Sequence, residues 1–211
     1  NIKEFQIFTS GESTGAAAEY ARYGLDYDRW YANCDWVLSE LYGKFKMVFA
    51  FMTTVNILSV GTYHLFIKDV LKLRAKYIKH KDDGNVLPCM TNFLRYPNFL
   101  AICNLDDETK AEVEKLIIDV AESYQVGTTK DTGFLWLEEI NQLERLLAFM
   151  EGDSIGNLDM NRSDFWKYID EYDKRRQTNF KDTFPELHNY YELCKTHTYT
   201  GTQLKQNTTI L

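Results

Sequence analysis

The sequence predicts an α/β fold built on a parallel sheet, and three observations carry that reading. Two short apolar runs, Phe5-Gln6-Ile7-Phe8-Thr9-Ser10 and Met47-Val48-Phe49-Ala50-Phe51-Met52, have strand length and stop at small polar residues. Amphipathic segments of helical period follow each of them. A weaker third run, Val86-Leu87-Pro88-Cys89-Met90, completes a strand–helix–strand–helix–strand order, which implies right-handed parallel crossovers.

After the first strand, 16–41 reads as helix: Trp30, Cys34, Val37, Leu38 and Leu41 fall at spacings of three and four, and Gly43 ends it. The unbroken apolar second strand suits a parallel sheet covered by helices. A second helix is expected over 61–77, with Leu65, Phe66, Val70, Leu71 and Leu73 on one face. The polar stretch 79–85 reads as a surface loop. From Asp106 the pattern turns helical, and Asp106, Asp107 and Glu108 complement the dipole of the first turn. A Thr- and Gly-rich loop is expected over 125–132, then helices over 135–150 and 162–174. Phe184-Pro185-Glu186-Leu187 reads as an extended segment anchored by Phe and Leu, and 196–211 as a fraying tail. The domain organisation expected is an α/β unit over 1–105, a helical region over 106–195 and the tail.

With 211 residues, 45% of them hydrophobic and 15% aromatic, the chain can bury a substantial core. A net charge of −7 without a long basic run disfavours nucleic-acid binding through phosphates. No apolar run reaches roughly 18 residues, so no membrane span is expected. The four cysteines, Cys34, Cys89, Cys103 and Cys194, and the four histidines are dispersed, with no metal-site spacing. Reduced thiols in a cytoplasmic protein are the expectation. The chain opens on Asn1 almost directly into a strand, which reads as the C-terminal part of a longer polypeptide.

Three strand-end or helix-start residues are candidates for ligand contact. Ser10, followed by Gly11 and Gly15, offers a hydroxyl and backbone N–H groups to a carboxylate, ribose or phosphate; taken alone it better suits an ordinary strand-to-helix turn. Arg22 can fork onto a carboxylate, or pair structurally with Glu19, Asp26 or Asp28. Asn56, ending the second strand, can serve a ligand's hydroxyls or form a turn. The charged and aromatic stretch 159–176 alternates in sign and reads as a solvated, salt-bridged helix. Neighbouring carboxylates such as Glu138 and Glu139 face apart on a helix, and no acid–base pair is assigned.

Together, Ile7-Phe8-Thr9-Ser10-Gly11-Glu12, Ala18-Glu19-Tyr20-Ala21-Arg22-Tyr23-Gly24 and Met52-Thr53-Thr54-Val55-Asn56 resemble the middle and later strands of radical S-adenosylmethionine (SAM) proteins. The stretch from Arg162-Ser163-Asp164-Phe165 to Phe184-Pro185-Glu186-Leu187 is similar to the C-terminus of twitch-domain members, so the resemblance spans roughly 3–190. It implies an incomplete parallel (β/α) barrel, part of a (β/α)6 barrel, with a helical C-terminal extension. It further implies an enzyme in which a [4Fe–4S] cluster reduces SAM to a 5′-deoxyadenosyl radical that takes hydrogen from a substrate. Ser10 and Arg22 would hold the SAM carboxylate or ribose, and Asn56 would lie against ribose or substrate. The family's CxxxCxxC and its Gly-Gly-Glu-type strand are absent here and are expected upstream. The substrate implied is peptide, sugar or nucleotide-derived. The rival readings are a non-catalytic binding or regulatory domain descended from such a barrel, and a nucleotide-sugar transferase.

Overall fold

Three parallel strands, β1 (Glu4–Ser10), β2 (Lys46–Val55) and β3 (Cys89–Phe93), pair in the order 1-2-3. The computed structural model describes residues 4–78, 87–124 and 133–197. The expected segments 79–85 and 125–132, and the tail beyond His197, lie outside them. Helices α1 (Gly15–Ala21) and α2 (Tyr27–Leu41) lead from β1 to β2, and α3 (Ile57–Tyr77) follows β2. Two right-handed crossovers that advance in the same direction fall on the same face of the sheet.

The strand register shows what that face contains. Ile7 lies opposite Phe49, Thr9 opposite Phe51, and Phe51 opposite Cys89. The Trp30 indole of α2 donates to Thr9 Oγ1 at 3.0 Å, and the Tyr63 hydroxyl of α3 meets Thr91 Oγ1 at 2.6 Å. The other face carries Phe8, Val48, Met52 and Met90; Phe8 is 56% exposed, and the other three are half-buried. Helices thus cover one face heavily and leave the other partly open.

The sheet is open, with three parallel strands in a mixed α/β architecture, the coarser form of the expected partial barrel. Neighbouring strands rotate by only about 20–25°, so three of them cannot curl into an enclosure. Of the strand expected over 86–90, Val86 lies outside the described residues, and the strand begins at Cys89 and runs to Phe93, because Pro88 has no N–H for the ladder. The single helix expected over 16–41 is two. Gly24, at φ +83°, turns the chain after α1, and Asp26 starts α2 by accepting from the Arg29 amide at 2.9 Å.

The remaining helices are α4 (Asp107–Ser123), α5 (Leu137–Glu151), α6 (Leu158–Arg176), the single-turn α7 (Phe180–Thr183) and α8 (His188–Thr196). The segment expected to be extended is a 3-10 turn, Pro185–Leu187, with Phe184 and Leu187 buried as its anchors. The C-terminal helices share one apolar core with the sheet. Tyr20 of α1 stacks on Tyr172 of α6, their ring centroids 4.9 Å apart, and donates to Asp173 at 2.9 Å. Asp173 also accepts from the Phe180 amide at 2.8 Å, so one carboxylate ties α1, α6 and α7 together.

At the far end of α3, Arg74 is fully buried and forks onto Glu139 of α5, with contacts of 2.6 and 2.9 Å. Arg74 also donates to the Leu87 carbonyl at 2.7 Å and to the Phe134 carbonyl, and its guanidinium lies 3.7 Å from the Trp136 ring centroid. Glu139 in turn accepts from the Cys89 amide at 2.8 Å, and Gln142 accepts from the Thr91 amide at 2.6 Å. These two side chains cap the outer edge of β3, which would otherwise present unpaired amides.

Arg74→Met leaves a buried carboxylate unpaired and is expected to cost about 3–5 kcal/mol. The double variant Arg74→Met/Glu139→Met is expected to lose clearly less than the sum of the single losses. Guanidinium denaturation of the four proteins of that cycle measures both quantities.

Candidate functional site

The first strand ends at the carboxyl edge of the sheet, where α/β proteins place ligands. Its ladder runs one residue past Ser10, since the Gly11 amide donates to the Met52 carbonyl at 3.2 Å. Glycine is required there: a Cβ would stand 2.8 Å from Phe66 and 3.0 Å from Trp30. Packing of α2 and α3 over this turn therefore fixes the backbone. The turn then buries Glu12 and Ser13, whose hydroxyl meets Thr62 Oγ1 of α3 at 2.6 Å.

Arg22 follows α1, its amide bonded to the Ala18 carbonyl at 2.9 Å. The turn at Gly24 begins just beyond it, and the side chain folds back to β1. Nε reaches Glu12 Oε1 at 3.1 Å and Nη2 reaches Oε2 at 2.6 Å, a two-pronged charged contact. Among the described residues, Nη1 has no hydrogen bond. The Arg22 side chain is 40% exposed while the Glu12 side chain is buried, so one edge of the pair faces water.

Ser10, Gly11, Glu12, Ser13, Arg22 and Trp30 line one small cavity of about 10 Å³. That is room for about one water molecule. Ser10 and Arg22, twelve residues apart in sequence, are thus brought together. The Ser10 hydroxyl is exposed and caps no helix, and Thr14 is the residue that precedes α1. The sequence offers Glu19, Asp26 and Asp28 as partners for Arg22; the structure pairs it with Glu12 instead.

Asn56 sits elsewhere. It caps α3, its side-chain Oδ1 accepting from the Leu58 amide at 2.9 Å and its Nδ2 donating to the Thr54 carbonyl at 3.1 Å. Ser59 completes the box by accepting from the Asn56 amide at 3.0 Å. Ser10 lies opposite Met52, so Asn56 begins about 13 Å farther along the strand direction and does not line the cavity.

All four cysteines are buried. Burial pushes the thiols of Cys34, Cys89 and Cys194 up to about 12, away from the thiolate form that binds iron. Among the described residues, no group of three His, Cys, Asp or Glu side chains is arranged to hold a metal ion, and no helix is long and apolar enough to cross a membrane. Compared with protein-family models, curated proteins and solved structures, the chain matches none.

The cysteine environment has two measurable consequences. In the native chain the thiols are expected to react with a disulfide reagent at pH 8 at least a hundredfold more slowly than in guanidinium. Folding also holds thiol protons to higher pH than the unfolded chain, whose thiols ionise near 9. That stabilisation is complete below pH 9 and is lost as the pH climbs toward 12. A urea midpoint clearly lower at pH 10.5 than at pH 8 is the expected result.

Proposed function

We propose that this chain supplies part of the SAM-binding site of a radical SAM enzyme, with Ser10 and Arg22 on the amino-acid end or ribose of SAM. The observation that carries the reading is the meeting of Ser10, Arg22 and Glu12 in one cavity at the carboxyl end of β1. A guanidinium and a carboxylate side by side match a zwitterion. The free Nη1 of Arg22 can take an α-carboxylate, and Glu12 an α-ammonium group, as charge-assisted hydrogen bonds. The ligand approaches from solvent, where the Arg22 side chain is open, because the cavity as it stands holds only about one water.

The sheet supports the same reading. All crossovers lie on one face, and the other face carries Phe8, Val48, Met52 and Met90. In a larger barrel such a face is the interior, where apolar side chains exclude water. SAM held on a reduced cluster supplies the hydrogen-abstracting radical. This chain's own contribution is to bind and orient the methionyl end and to keep water away. Its four cysteines are buried, and burial holds the thiols of Cys34, Cys89 and Cys194 protonated, so the reading places the cluster ligands outside this chain. The substrate is a peptide, sugar or nucleotide derivative.

The second reading is a non-catalytic binding domain of the same descent, which the burial of all four cysteines favours. Titration of SAM into the chain tests the site. Arg22→Lys, which cannot fork, is expected to weaken binding at least tenfold, about 1.4 kcal/mol. Equal affinity in Arg22→Lys, or no SAM binding to the chain or to the full-length gene product, overturns the proposal. Release of 5′-deoxyadenosine by the gene product after iron and sulfide reconstitution selects the enzyme; bound but uncleaved SAM selects the binding domain.

A further inference from the structure

The last turn of α6 carries Lys174, Arg175 and Arg176, a cationic run of the kind that offsets the dipole at a helix C-terminus. Its three members are used differently. Lys174 meets Asp170 at 2.6 Å, and Arg175 Nε meets Glu171 at 2.5 Å. Arg176 has no carboxylate partner among the described residues. Its guanidinium instead lies 4.3 Å from the ring centroid of Tyr23 and 4.7 Å from that of Tyr172. Two aromatic rings from different elements thus hold its plane while leaving its N–H edge uncommitted.

That edge opens on a surface groove of about 540 Å³ lined by Tyr23, Arg175, Arg176 and Gln177. The groove falls in the size range of small-molecule sites. Gln177, left-handed at φ 56°, turns the chain away and keeps the end of α6 accessible. The two Nη groups of Arg175 make no hydrogen bond to the described residues, so two guanidinium edges face the groove. Tyr23 is 76% exposed, which leaves ring surface free for a second flat group.

We infer that this groove binds a mononucleotide, with the phosphate on Arg176 and Arg175 and the base stacked on Tyr23. Arginine forks match phosphate oxygens, and aromatic faces take bases of any kind. The overall charge of −7 argues for one nucleotide rather than a polynucleotide, whose many phosphates would be repelled beyond the groove. The inference stands on Arg176 and Tyr23 and does not rest on the SAM reading.

The test is calorimetric titration of the full chain with AMP, inorganic phosphate and adenosine at low salt. AMP is expected to bind at least tenfold more tightly than either phosphate or adenosine. Arg176→Gln and Tyr23→Ser, both at exposed positions, are each expected to weaken AMP binding at least tenfold, with an unchanged circular-dichroism spectrum confirming the fold. AMP that binds no better than phosphate, or that binds both variants as well as the parent, overturns the inference.

Discussion

The buried contact between Arg74 and Glu139 is the constraint on which the arrangement of this protein depends. Taking a guanidinium and a carboxylate out of water costs several kcal/mol per ion, recovered only when their hydrogen-bonding capacity is used. Here two carbonyls and both Glu139 oxygens take up the two terminal nitrogens of Arg74, and two backbone amides add to Glu139. Nε alone lacks a partner. The contact therefore joins α3, β3 and the start of α5 in one geometry. A pair of apolar residues would hold them together but would leave the amide of Cys89 at the sheet edge unsatisfied.

The consequence reaches the opposite end of the molecule. Helix α3 has 21 residues and so spans about 30 Å. With its C-terminal end pinned at Arg74 and its first turn closed by the Asn56 cap, the helix has little freedom to slide. Phe66 and Thr62 are then held against the turn after β1, where Phe66 leaves space only for a glycine and Thr62 bonds to Ser13. The strand-end turn that carries Ser10 and Glu12 is thus shaped from both sides. The Asn56 amide, which looked available as a strand-end group, is spent on holding the helix.

Much of the fold was legible in the sequence because local pattern and packing agree. The first two apolar runs became strands at nearly the expected residues, and of the expected α3 face Phe66, Val70, Leu71 and Leu73 are buried while Leu65 is exposed. Local pattern failed where a single residue overrode periodicity. Gly24 and Asp26 divided one continuous helical stripe into two helices, although the apolar spacing runs through the break. The central ion pair was invisible for a different reason. Arg74 and Glu139 stand among other charged residues in amphipathic helices, and nothing in spacing says that two residues 65 positions apart will meet in the core. At the site, Ser10 and Arg22 line one cavity, a meeting that the family resemblance implied and that position alone left open. Glu12 was missed because a carboxylate beside a glycine turn looks like any solvated loop charge.

Three arginines show how partner supply separates architecture from chemistry in this chain. Arg74 is wholly buried, and both of its terminal nitrogens are bonded, so no ligand can reach or reward it. Arg22 spends one edge on Glu12 and keeps Nη1 and a water-facing side, a state in which its direction is set but its capacity is not exhausted. Arg176 has aromatic faces and, among the described residues, no carboxylate. The entropy of ordering a long side chain is met by stacking in the last case and by an internal carboxylate in the second. Each thus arrives oriented with donors to spare, which is the condition under which binding an anion yields net free energy. Both lie near the chain that turns after α1, since Arg22 and Tyr23 are consecutive. The short connection between α1 and α2, which turns at the left-handed Gly24, is therefore where the two arginines with uncommitted donors come near one another.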